Sequence, residues 1–93
     1  MTEHTYASVF DALADTPAEA ASLKARAELL AALRARIGAW GLTQEAAARR
    51  LGVTRPRLND LLQGKLAKFP LDALVDLTAA AGLTLEIRLA EAA

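Results

Sequence analysis

Residues 43–65 have the sequence TQEAAARRLGVTRPRLNDLLQGK, which contains the clearest structural signals of the chain. Thr43 is suited to cap a first helix, whose inner face consists of small alanines that let a second helix cross closely. Gly52 can adopt the positive φ that ends a helix, and Thr54 can cap the next helix. The stretch therefore predicts two short helices joined by a three-residue turn, residues 52–54.

The second predicted helix presents basic and amide side chains at its N-terminal end. Pro56 is tolerated there because the first turn of a helix needs no N–H from that position. Arg55 and Arg57 suit the major groove of DNA, since arginine holds guanine O6 and N7 bidentately. Asn59 can pair with adenine or contact a phosphate, and Asp60 can accept a hydrogen bond from cytosine N4. The pattern therefore indicates DNA recognition by this helix.

The distribution of charge agrees with a nucleic-acid partner, although the 93-residue chain is neutral overall. Residues 23–68 contain ten Lys or Arg residues and three acids, whereas residues 1–22 contain four acids and no Lys or Arg. Residues 69–93 are acidic again, with four acids and one arginine. A basic middle between acidic ends is typical of a nucleic-acid surface flanked by segments with another function. A solvated surface of mixed charge is the alternative.

Local signals predict the remaining elements. Thr16-Pro17 begins a long helix that ends before Gly41, and a further helix spans residues 70–81. Residues 83–89 alternate apolar and polar side chains with period two, which predicts a strand. We therefore expect an all-α bundle of four to five helices with one C-terminal β-strand. The core is predicted to include Trp40, Phe69, Leu71, Leu74 and Leu77.

The predicted strand has no evident hydrogen-bonding partner within the chain. The simplest partner is the same strand of a second copy, paired antiparallel across a two-fold axis. The alternatives are the N-terminal residues of its own chain or the sheet of another protein. We expect a homodimer whose core-facing strand residues are Leu83, Leu85, Ile87 and Leu89. Such a dimer sets two recognition helices about 34 Å apart, which demands a palindromic operator.

The first fifteen residues form a separate acidic and apolar segment. Its apolar side chains recur at helical spacing, and they are Tyr6, Val9, Phe10 and Leu13. This stripe is suited to bind a groove on a basic partner protein, or else it packs onto the long helix of its own chain. We therefore predict three units: the segment 1–15, a helix-turn-helix domain at 16–82, and a dimerisation strand and tail at 83–93.

Composition argues against several other classes of protein. The chain has no cysteine and one histidine, His4, so thiolate nucleophiles, common zinc sites and histidine-based catalysis lack their side chains. No run approaches the roughly 20 apolar residues of a membrane span, and the N-terminus lacks the pattern of a signal peptide. We therefore expect a cytoplasmic protein with no enzymatic activity, no cofactor, no bound metal and no membrane partner.

The central segment resembles the helix-turn-helix of the xenobiotic-response-element (XRE) family, which has a Cro/lambda-repressor-like fold, and more narrowly that of HigA-like antitoxins. The similarity covers residues 8–89, and its matching residues include Thr43-Gln44, Ala47-Ala48, Leu51-Gly52-Val53-Thr54, Pro56-Arg57-Leu58, Asp60-Leu61 and Gly64-Lys65. The resemblance implies that Gln44 lies near a phosphate and that Arg55, Arg57 and Asn59 face DNA. The chain departs from the family where Arg55 replaces a common glutamine and Pro70 a common serine.

Together, these features predict a DNA-contacting set of Gln44, Thr54, Arg55, Arg57, Asn59, Asp60, Lys65 and Lys68. The two lysines lie in the loop after the recognition helix, where they either contact phosphate or are simply exposed. The resemblance further implies an antitoxin that represses its own operon and neutralises a small basic toxin of the RelE/HigB type. A stand-alone transcriptional regulator, and a helical interaction module without DNA binding, are the alternatives.

Overall fold

A computed structural model describes residues 15–92. Within this range the chain forms four α-helices and one 3-10 turn, which are α1 (Pro17–Trp40), α2 (Gln44–Leu51), α3 (Arg55–Leu62), η1 (Leu66–Lys68) and α4 (Leu71–Ala80). None of these helices is both long enough and apolar enough to cross a membrane. The helical stripe predicted for Tyr6, Val9, Phe10 and Leu13 lies outside the described residues.

Local capping explains where the long helix α1 begins and ends. The Thr16 side chain accepts a hydrogen bond from the backbone N–H of Glu19 at 3.1 Å, and Pro17 occupies the first turn. At the other end, Gly41 has a φ of 64°, a left-handed conformation that glycine adopts without a Cβ clash. The predicted start and end of this helix are therefore confirmed.

The core lies where α1 packs against α4 and where α2 packs against α3. Its largest fully buried side chains come from α1, α3, the loop and α4, and they are Leu33, Leu58, Leu61, Phe69 and Leu74. Burial of each such side chain stabilises the fold by about 1.5–3 kcal/mol, so the elements depend on one another.

The structure confirms most of the predicted core and corrects one member. Phe69, Leu74 and Leu77 are buried, and Trp40 is half-buried against the core. Leu71 remains 41% exposed because it begins α4 at the rim of a surface cleft. The prediction from sequence that Leu71 is a core residue is therefore wrong.

Two arginines of α1 hold neighbouring segments through backbone carbonyls. Arg36 donates from Nε to the carbonyl oxygen of Ala81 at 3.1 Å, just after α4 ends. Arg26 donates from Nη1 to the carbonyl oxygen of Leu66 at 3.4 Å, in the loop after α3. The last carbonyls of a helix lack partners within the helix, and Arg36 satisfies one near the end of α4. Part of the basic charge in the middle of the chain therefore serves the fold.

The C-terminal strand predicted for Leu83, Leu85, Ile87 and Leu89 is not present in the single chain. Residues 83–92 have no regular secondary structure, and the described part of the chain contains no strand that could pair with them. A strand exists through hydrogen bonds to a neighbouring strand, so a lone segment cannot form one. Instead, residues 85–88 border a cleft with α1 and α4. Ile87 and Leu89 are 76% and 90% exposed.

Candidate nucleic-acid interface

The segment from α2 to α3 is a pair of short helices with a capped, glycine-containing turn. The Thr43 side chain accepts from the N–H of Ala46 at 3.2 Å, which caps α2. Gly52 ends α2 with a φ of 73°. The Thr54 side chain then accepts from the N–H of Arg57 at 3.3 Å, which caps α3. The predicted helix-turn-helix is therefore confirmed, including its three-residue turn.

Buried side chains determine which face of α3 points outward. Ala47 and Ala48 of α2 are 2% and 3% exposed, and such small residues let α3 approach closely. Leu58 and Leu61 lie on the inner face of α3 and are fully buried. The remaining exposed positions on this helix and at its end are Arg55, Pro56, Asn59 and Gln63.

Arg55 and Asn59 form the outward polar pair of α3. They are four residues apart, so their side chains are neighbours on one helix face. Arg55 occupies the first helical position, directly after the cap Thr54. Among residues 15–92, neither side chain has an ion pair or a side-chain hydrogen bond. Both are therefore free to bind a ligand placed against this face.

Arg57 differs from Arg55 because its guanidinium stacks on an aromatic ring. Its Cζ atom lies 4.6 Å from the centre of the Phe69 ring, and the Phe69 side chain is fully buried. A cation over a ring face is attracted by the ring quadrupole, and the stack limits the positions that Arg57 can take. The in-plane N–H donors of a stacked guanidinium stay available to an acceptor. Arg57 is thus a pre-oriented donor at the N-terminal end of α3.

Asp60 pairs with both lysines of the following loop. Its Oδ1 lies 3.2 Å from Lys65 Nζ, and its Oδ2 lies 3.2 Å from Lys68 Nζ. The hydrogen bond from Lys65, then that from Lys68 and the charges of both, hold the pKa of the Asp60 carboxyl below its usual value, against the opposing effect of burial. The structure therefore brings these three predicted DNA-contacting residues together, but they form ion pairs with one another.

Gln44 lies at the first position of α2 and is exposed. It borders a shallow cleft that also includes Leu58 and Leu62 of α3 and Arg34 of α1. Gln44 therefore lies beside α3. The phosphate contact that the sequence resemblance implies for Gln44 stays a prediction.

A second arginine stack next to α2 was missed by sequence reasoning. The Arg50 Cζ atom lies 4.2 Å from the centre of the Trp40 ring, whereas Arg49 pairs with Glu45 at 3.3 Å. The residues of the stack are ten positions apart and belong to different helices, so helical periodicity does not connect them. Trp40 thus has a covered face as well as its contact with the core.

Comparison with known proteins agrees with this geometry. The sequence model of a protein family that is described as a helix-turn-helix domain matches residues 12–90, which are most of the chain. No curated protein matches the chain. The match extends over the capped helix pair, the loop that carries Lys65 and Lys68 (the lysine loop), α4 and most of the C-terminal tail. The chain therefore belongs to this helix-turn-helix domain family and is a DNA-binding protein of the helix-turn-helix type.

Proposed function

We propose that the chain is a sequence-specific transcriptional repressor that inserts α3 into the major groove of its operator. The observation that carries the proposal is the outward face of α3, where Arg55 and Asn59 are exposed while Leu58 and Leu61 are buried. Recognition helices contact bases with residues near their N-terminus, where Arg55 lies. Arginine selects guanine and asparagine selects adenine through bidentate hydrogen bonds.

The other predicted residues have different proposed roles. Arg57 donates to a base edge or a phosphate from its stacked position on Phe69. Gln44 contacts a phosphate beside α3, which positions the protein but does not select a sequence. Thr54 acts through the cap that orders the start of α3, since its hydroxyl oxygen accepts from a backbone N–H. Sequence preference is therefore expected from the N-terminal half of α3.

We also propose that the repressor is a homodimer formed through residues 83–89. Ile87 and Leu89 expose apolar side chains that a second copy would cover, and Leu85 already borders the cleft between α1 and α4. Antiparallel pairing of two such segments supplies the hydrogen bonds that one segment cannot make alone. The two-fold axis would set two α3 helices about 34 Å apart, and the operator would be palindromic.

The more specific proposal is that the repressor is an antitoxin for a small basic toxin of the RelE/HigB type. It is supported by the resemblance to HigA-like antitoxins and by the acidic N-terminal segment, which suits a basic partner. Tyr6, Val9, Phe10 and Leu13 would supply the apolar contact, in a part of the chain outside the described residues. A neighbouring gene for a small basic protein favours this role over a stand-alone regulator.

Gel shifts test the central proposal with the duplex upstream of the protein's own gene and a shuffled duplex of equal composition. The wild type is expected to prefer the upstream duplex. Arg55→Ala should lose about 1–3 kcal/mol of that preference if Arg55 contacts a base. Arg55→Lys keeps the charge but not the bidentate geometry, so it should lose preference while retaining binding to the shuffled duplex. Equal wild-type binding to both duplexes would contradict sequence-specific repression.

A further inference from the structure

The lysine loop is attached to α3 by one acidic residue. The Asp60 carboxylate contacts Lys65 Nζ through one oxygen and Lys68 Nζ through the other, each at 3.2 Å. The backbone N–H of Lys65 also donates to the Asp60 carbonyl oxygen at 3.1 Å. Both ammonium groups therefore already have an anionic partner, and that partner lies on the recognition helix itself.

These ion pairs are weak enough to be exchanged. The lysine side chains are 47% and 57% exposed, whereas the Asp60 side chain is 21% exposed. Ion pairs between exposed side chains stabilise a protein only weakly, so a DNA phosphate can replace the carboxylate beside either lysine. The carboxylate nevertheless cancels one of the two lysine charges and repels any phosphate that approaches. Its presence must therefore lower the affinity of this loop for DNA backbone in general.

We propose that Asp60 is a specificity-determining residue, which pairs with Lys65 and Lys68 and so suppresses their binding to arbitrary DNA. This inference rests on the proposed operator recognition by α3. Binding to non-specific DNA depends almost entirely on charge, so it is reduced by the carboxylate. On the operator, base contacts from α3 hold the backbone in place, and lysines already ordered by Asp60 lose less freedom when they bind it.

Two opposing effects then follow from removal of the carboxylate. The affinity for non-specific DNA rises with the full charge of both lysines, because this binding needs no fixed geometry of the ammonium groups. Binding to the operator gains the same positive charge, but the two lysines are no longer ordered by Asp60. The gain in charge and the loss of ordering therefore offset each other in the affinity for the operator. Asp60 therefore widens the ratio between operator binding and non-specific binding.

The test compares Asp60→Asn with the wild type on the upstream and shuffled duplexes across a salt series. Asp60→Asn should tighten binding to the shuffled duplex about threefold to tenfold in 50 mM salt. It should also steepen the slope of log affinity against log salt by about 0.9, the value for one further phosphate contact. Affinity for the upstream duplex should change by less than about twofold, so the specificity ratio falls.

Two controls separate this role from general effects of charge and folding. Asp72→Asn makes the same change in net charge at an exposed residue of α4, which has no ion pair among residues 15–92, and should leave the ratio unchanged. Adding Lys65→Ala and Lys68→Ala to Asp60→Asn should abolish the gain on the shuffled duplex. Urea unfolding of each variant reports whether it folds.

Three results would overturn the inference. An unchanged ratio in Asp60→Asn means that the carboxylate does not affect selectivity, and an equal effect of Asp72→Asn means that net charge alone is responsible. Weaker binding of Asp60→Asn to both duplexes, with a lower unfolding free energy, means that Asp60 is merely structural. Failure of the proposed function is distinct from these results, since it appears in the wild type as equal binding to both duplexes.

Discussion

The stack of Arg57 on Phe69 leads to a quantitative prediction, because it joins α3, the proposed recognition helix, to the core. Phe69→Leu removes the ring while retaining an apolar side chain at a fully buried site, which should cost about 1–2 kcal/mol of unfolding free energy. Arg57→Ala removes the cation. At 4.6 Å from a ring centre, a half-buried guanidinium contributes about 0.5–1 kcal/mol.

The double variant isolates the contribution of the stack itself. In the Phe69→Leu background, Arg57→Ala should cost less unfolding free energy than in the wild type. The losses of the two single variants should therefore add up to about 0.5–1 kcal/mol more than the loss of the double variant. Urea unfolding of the four proteins, followed by circular dichroism, measures this coupling energy. A loss of 1 kcal/mol lowers the melting temperature of a domain of this size by about 4–8 °C, which gives a second readout.

Arg55 provides the matched control for this double-mutant cycle. It lies on the same turn of α3 but is exposed, and its guanidinium contacts no aromatic ring among residues 15–92. Arg55→Ala and Phe69→Leu should therefore be additive within about 0.3–0.5 kcal/mol. The reasoning fails if the Arg57 cycle shows no more coupling than the Arg55 cycle.

Other changes test the tail, helix α1 and the N-terminal segment. Ile87→Pro removes a backbone N–H from the proposed strand pair, so light scattering should find a monomer. A dimer that persists in this variant would mean that the interface lies outside residues 83–89. Gly38→Ala should raise the unfolding free energy measured in urea by about 0.5–1 kcal/mol, because an added Cβ at this helical glycine would meet nothing within 4 Å apart from the backbone of its own helix and its chain neighbours. A decrease would contradict this expectation. Deletion of residues 1–15 should abolish co-purification with the proposed basic toxin and spare DNA binding, whereas undiminished co-purification would exclude that segment as the toxin site.

The capped helix pair was predictable from sequence because its signals act over three or four residues. A threonine side chain reaches the N–H three residues ahead, as Thr43 and Thr54 do. A glycine such as Gly52 ends a helix through its own backbone conformation. Buried positions such as Leu58 follow from helical spacing. The outward direction of Arg55 and Asn59 follows in turn, since a helix that buries one face exposes the other.

Only the tertiary structure determined the partners of the charged side chains and the state of the tail. Asp60 and Arg57 have the residue types of base-contacting side chains, yet the loop after α3 folds back and brings the two lysines and Phe69 against them. Arg36 reaches a carbonyl 45 residues away in sequence, which no local pattern encodes. Residues 83–89 have the alternation of a strand, but pairing needs a second strand, and the described part of this chain does not contain one. Capping and periodicity are properties of a short segment, whereas ion pairs, stacks and strand pairing depend on which distant segments the fold brings together.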